Sequence, residues 1–183
     1  MANNSIGLIE LGSIAAGYEV SDAMLKSAAV DLVLARSICS GKYMVMVRGD
    51  VAAVQTAVDA GAAAGDFSVI DKFVIPNVDE AIFPAIAGNT KVEELDALGI
   101  IESFSVASLI EGADAAVKAA SVDLIEIRLA MALGGKAFCT MTGPVSSVRA
   151  AVDAGAAVIA KKGLLVNMVV IPQPRKELLS EMI

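Results

Sequence analysis

Two cysteines, repeated carboxylates and lysines, and no histidine define the chemistry open to this chain of 183 residues. Without histidine the commonest general base, the triad base and the usual neutral metal ligand are all missing. Glu10 and Glu102 stand at matching places, but acid–base work would need both in one cleft with perturbed pKa values, so their repetition favours a structural role. Gly41-Lys42 and Gly134-Gly135-Lys136 lack the spacing of a phosphate-binding loop and read as tight turns. Hydrolytic or phosphoryl-transfer turnover is therefore not expected. Cys39 and Cys139 remain. A [4Fe-4S] cluster normally takes four thiolates, often in close C-x₂-C runs, so two cysteines this far apart exclude such a cluster within one chain. Taken alone, a cysteine beside a turn reads as a small structural residue, and Cys139, inside an apolar strand pattern, reads as core.

The elements that must position these residues occur twice. Gly7-Leu8-Ile9-Glu10 returns 92 residues later as Gly99-Ile100-Ile101-Glu102, and Asp22-Ala23-Met24-Leu25-Lys26 returns at the same spacing as Asp114-Ala115-Ala116-Val117-Lys118. Gly41-Lys42 answers Gly135-Lys136 at a spacing of 94, and Ala57-Val58-Asp59-Ala60-Gly61-Ala62-Ala63 recurs unchanged from Ala151 to Ala157. Two tandem domains of one fold are the economical reading. The copies differ most between Arg36 and Gly41, a stretch two residues shorter than its counterpart from Arg128 to Gly135.

Within one copy, residues 6–11 read as a buried strand, and 13–27 as a helix with Ser13 as its N-cap. Residues 30–38 and 42–48 read as two strands joined at the Cys39-Ser40-Gly41 turn, Asp50 caps a second helix ending near Gly61 or Gly65, and 69–75 is a last strand stopped by Pro76. The order β-α-β-β-α-β is that of an α+β, ferredoxin-like split βαβ unit, an antiparallel sheet with both helices on one face. Residues 5–88 are assigned to domain 1, 89–96 to a linker and 97–183 to domain 2, with short helices expected over 80–86 and 175–182.

Composition narrows the setting. The hydrophobic fraction of 56% and mean hydropathy of +0.70 exceed what a soluble domain of this size needs. Asp31, Arg36, Arg48, Asp59, Asp71 and Lys161-Lys162 interrupt every stretch that could span a membrane, so the surplus is assigned to subunit interfaces. A net charge of −7 provides no basic stripe for nucleic acid. The first residues carry no signal-peptide pattern, and a cytoplasmic protein with reduced cysteines is expected.

The opening Gly-x-Ile-Glu, the Asp-Ala-Met-Leu-Lys-Ser-Ala helix end, the Val-Arg-Gly-Asp-Val-Ala-Ala-Val strand-to-helix junction and the Asp-Ala-Gly-Ala-Ala-Ala stretch before Val-Ile-Pro resemble the bacterial microcompartment (BMC) shell family. The likeness covers nearly the whole chain, twice, and is to the tandem-domain, trimeric type found in propanediol-utilisation microcompartments. It implies a homotrimer shaped like a hexagonal tile in the microcompartment shell. Such a tile meets other BMC shell proteins laterally and redox enzymes of the lumen or cytosol. The resemblance also implies that Cys39 of three subunits binds one [4Fe-4S] cluster on the threefold axis, for electron transfer across the shell or delivery of the cluster. Threefold symmetry makes one cysteine three and leaves the fourth iron to water, a small ligand or a partner's side chain. Ser37, Ile38, Ser40 and Gly41 of the first copy and Met131, Ala132, Leu133 and Gly134 of the second would line the pore, and Lys26 and Lys118 the tile edge. Asn77 and Gln173 stand where that edge commonly has an arginine. Two other readings are a tile whose open pore gates small metabolites, and a ferredoxin-like ligand-binding regulator.

Overall fold

The computed structural model describes residues 4–92, 94–130, 133–175 and 177–178. The chain forms two compact units, the first ending at Val78 and the second beginning at Asp79.

In the first unit, β1 (Ser5–Leu11), α1 (Ile14–Ser27), β2 (Asp31–Ile38), β3 (Lys42–Gly49), α2 (Val51–Gly65) and β4 (Val69–Ile75) follow one another. The antiparallel sheet has the order β2-β3-β1-β4, the split βαβ arrangement the repeat predicts. Both expected caps are made: Ser13 Oγ accepts from Ala16 N at 3.3 Å, and Asp50 Oδ1 accepts from Ala53 N at 2.9 Å. Each satisfies an otherwise orphaned helix N–H, worth about 1 kcal/mol. Alternation along β1 sends Ile9 and Leu11 to the helix side. There they join Val20, Met24, Val45, Val47, Val54 and Val58 in one core. Gly7 lets α2 close on the sheet, since a Cβ there would meet Val58 Cγ2 at 2.4 Å.

The second unit repeats the pattern with β5 (Ala97–Ser103), α4 (Val106–Ala119), β6 (Asp123–Leu129), β7 (Ala137–Gly143), α5 (Val145–Lys161) and β8 (Leu165–Pro172), in the order β6-β7-β5-β8. It also contains α3 (Ile82–Ala87), which ends at Gly88 in the left-handed conformation. Residues 79–88, read from sequence as the end of domain 1, lie in this unit because α3 packs on β6. Asp114 on α4 ties the segment down by accepting from Asp79 N at 2.8 Å. Of the helix expected over 175–182, all but 175, 177 and 178 lies outside the described residues.

Equivalent positions of the two units differ in exposure. On α1, Ile14 and Tyr18 are 42% and 67% exposed, whereas Val106 and Ile110, their α4 counterparts, are fully buried. On the sheet face away from the helices, Leu8, Met44 and Met46 are fully buried in the first unit. The counterpart face of the second is an open groove lined by Leu98, Ile100, Phe138, Thr140, Ile171 and Leu178.

Candidate pore-loop site

The β2–β3 hairpin is closed by the pair Ile38↔Lys42, leaving Cys39, Ser40 and Gly41 as its tip. Ser40 and Gly41 both have positive φ, 67° and 73°, a conformation glycine adopts freely and serine at a cost. Two left-handed residues in succession reverse the chain within three residues. Cys39 is half-buried and engaged in neither a disulfide nor the apolar core, while Ser37, Ser40 and Gly41 are exposed. Ile38 is different: at 6% exposure it points into the protein.

The corresponding segment of the second unit runs from Leu129 to Ala137, the last cross-strand pair of β6 and β7. Ala130, Gly134 and Gly135 take positive φ, and Lys136 N donates to Leu133 O at 3.2 Å. Gly134 is exposed and Leu133 half-buried; Met131 and Ala132 lie outside the described residues. Arg128 stacks its guanidinium over Phe138 at 5.7 Å, a cation–π contact on the open sheet face.

Under each loop lies an ion pair that sequence reading missed. Lys42 Nζ donates to Glu10 Oε1 at 2.8 Å, and Lys136 Nζ lies 2.5 Å from Glu102 Oε1. The signal was available as a glutamate closing the first strand and a lysine following the loop in both repeats. The two glutamates are thus engaged separately, each with its own lysine.

Cys139 is fully buried in β7, where burial pushes its thiol up to about 12. At pH 8 only about one molecule in ten thousand would carry the thiolate, the reactive form. Iodoacetamide should therefore modify one cysteine per native cluster-free chain at that pH, at Cys39, and two after denaturation. Peptide mass spectrometry reads the outcome, and modification of native Cys139 would contradict the burial.

The two helix-end lysines also differ. Lys26 pairs with Asp22 at 2.6 Å with both side chains more than half exposed. Lys118 pairs with the nearly buried Asp114 at 2.5 Å, the carboxylate that also holds Asp79. Among the described residues no three histidine, cysteine or acidic side chains gather as a metal site, and no helix is long and apolar enough to cross a membrane.

The BMC domain family model matches residues 5–78 and 97–174. Bacterial microcompartment shell protein PduT of Citrobacter freundii is 42% identical over 181 residues, 99% of this chain and 98% of that protein. Bacterial microcompartment shell protein PduA of Salmonella typhimurium is 43% identical over 89 residues, covering 46% of this chain and 95% of its own length. A crystal structure of a microcompartment protein from Desulfitobacterium hafniense superposes with a TM-score of 0.90 at 51% identity, covering 97% of this chain and 98% of that one.

Proposed function

The chain belongs to the BMC-domain family, and from that membership we propose that it is a shell tile of a bacterial microcompartment, of the tandem type that PduT represents. The tile is a homotrimer and has no catalytic turnover of its own. Its Cys39 hairpins meet at the centre and hold one [4Fe-4S] cluster for electron transfer across the shell or delivery of the cluster. The observation that carries the cluster reading is the asymmetry of the two hairpins. The three-residue tip in the first unit bears the half-buried thiol beside the exposed Ser40 and Gly41, whereas the cysteine of the second unit lies sealed in a strand.

The donor set fits the group. One chain supplies one accessible thiol, and three copies supply three soft ligands for three of four irons. A cluster bound there supplies one-electron chemistry at a potential set by its surroundings. The protein's part is to present three thiolates from short, well-anchored hairpins. Ser37 and Ser40 add polar groups around them.

Exposure supports the trimer. Ile14 and Tyr18 of α1 are open where their counterparts on α4 are covered, and the sheet face of the second unit is open where its counterpart is covered. In the proposed assembly, α1 of one copy seats Ile14 and Tyr18 on the groove around Ile100 and Phe138 of the next. Such a heterologous contact closes into a ring when the rotation is right. Ile14→Asp should therefore dissociate the trimer at micromolar concentration without changing secondary structure, as read by light scattering and circular dichroism. A persistent trimer would exclude this contact. In the same assembly the exposed Lys26 faces neighbouring tiles more freely than Lys118, which Asp114 restrains.

The test is iron and sulfide analysis with EPR on protein purified without oxygen. About four irons per three chains would establish the axial cluster. A colourless trimer that resists reconstitution would leave a tile whose serine-lined pore passes small metabolites.

A further inference from the structure

Glu10 is the least expected residue on its sheet face. Its side chain is 1% exposed, its neighbours Leu8, Met44 and Met46 are apolar and fully buried, and its Oε2 has no hydrogen-bond partner among the described residues. An apolar side chain would serve stability there better than a half-satisfied carboxylate. What Glu10 holds is Lys42, at 2.8 Å.

Lys42 sits at the neck of the cysteine hairpin, paired with Ile38. The hairpin's first strand, β2, lies at the sheet edge, so the neck leans on β3 alone. The ladder from β1 to β3 ends at Leu11↔Tyr43, so that Lys42, one residue further toward the tip, has no partner in it. Glu10 is opposite Met44, so Lys42 reaches it diagonally across the strands. The ion pair thus carries the connection to the centre of the sheet past the point where backbone pairing stops. In the second unit the same pair is more open, Glu102 being 29% exposed against 1% for Glu10 and Lys136 39% against 25% for Lys42, and the loop above it is longer and lacks a cysteine. The version with the buried carboxylate coincides with the hairpin that bears the thiol.

We propose that Glu10 and Lys42 are positioning residues for Cys39. Their pair, anchored on the buried carboxylate of Glu10, locks the hairpin neck, so that each copy holds its thiol at one place. This rests on the shared-cluster reading, which makes the requirement strict: three sulfurs from three chains must converge to within about 0.5 Å. A neck free to pivot below two left-handed residues would spread them.

The test compares wild type with Lys42→Met, the double variant Glu10→Gln/Lys42→Met, Lys42→Arg and Lys136→Met. Hydrogen exchange is followed through residues 36–44 of the cluster-free oligomer. The double variant leaves no buried charge, which keeps the test valid if Lys42→Met fails to fold. The double variant should exchange its hairpin amides about tenfold faster with the rest of the chain unchanged. Lys42→Arg should restore slow exchange, and Lys136→Met should leave the Cys39 hairpin as in wild type. In loaded protein, the cluster should be lost to a chelator about tenfold faster in the double variant, at an unchanged oligomeric state. Wild-type exchange in a folded double variant, or equal loosening by Lys136→Met, overturns the proposal. If wild-type protein binds no iron, the shared-cluster reading fails, while hairpin exchange still decides whether the pair fixes Cys39.

Discussion

Cys39→Ser protein purified without oxygen should contain no iron, while the wild-type oligomer should carry about four irons per three chains. The substitution exchanges a sulfur for an oxygen and leaves the positive-φ turn at Ser40 and Gly41 in place, so the hairpin itself should survive. What is lost is the soft thiolate, and a neutral hydroxyl does not replace it toward iron–sulfur clusters. The loss should be complete, because each chain contributes a single accessible thiol and removing it removes all three together. Cys139→Ala is the control: that residue is fully buried in β7, so its loss should cost some stability and no iron. Iron, sulfide and EPR measurements beside size-exclusion chromatography read both outcomes. Iron retained by Cys39→Ser at wild-type level would move the site elsewhere.

Gly155→Ala should destabilise the second unit by about 2 kcal/mol, whereas Gly61→Ala, at the matching position of the repeat, should leave the first nearly unchanged. Alanine is favoured over glycine inside a helix by about 1 kcal/mol, and overpacking a core costs about 1–3 kcal/mol, so the sign depends on which atoms must give way. At Gly61 a new Cβ would meet Met24 Cγ at 2.6 Å and Ile9 Cδ1 at 2.7 Å. Both belong to side chains that can rotate, and methionine yields most readily. At Gly155 the nearest atom is the backbone oxygen of Gly112, at 2.6 Å, which moves only if α4 and α5 separate. Denaturant titrations at fixed protein concentration, followed unit by unit, check the difference. Equal effects at the two sites would mean that the helix pairs are equally compliant.

The identical heptapeptide around these two glycines shows how far the sequence could be read. Periodicity, the caps at Ser13 and Asp50 and the doubled order of elements were enough for the sheet topology. The neighbours of Gly61 and Gly155 were not legible, because Met24 and Gly112 come from other helices whose closeness is a property of packing. The short helix over 80–86 was legible locally, yet its pattern did not reveal that α3 belongs with β6. Cys39 at a hairpin tip and Cys139 in a strand could be placed from turn residues and alternation. The pairing of Glu10 with Lys42 could not, since it follows from a diagonal across two strands far apart in the chain. Nor could the contrast between Tyr18 and Ile110, two apolar residues at equal places in their helices, one open and one covered.

The attachment of α3 to β6 also sets an order of events during synthesis. Every strand and helix of the first sheet has been made by the time residue 78 leaves the ribosome, and Val78 N closes the unit by donating to Asn4 O at 2.8 Å. The next segment emerges early but meets Asp114 only once α4 is made, and its main support only with β6, which begins at Asp123. Domains generally form as units, from the N-terminal side first. Nascent chains halted with about 100 residues outside the tunnel should thus resist protease through Val78 and be cut within 79–96. The stretch between the repeats spends part of its life as a tether, and becomes structure only when the second sheet arrives to claim it.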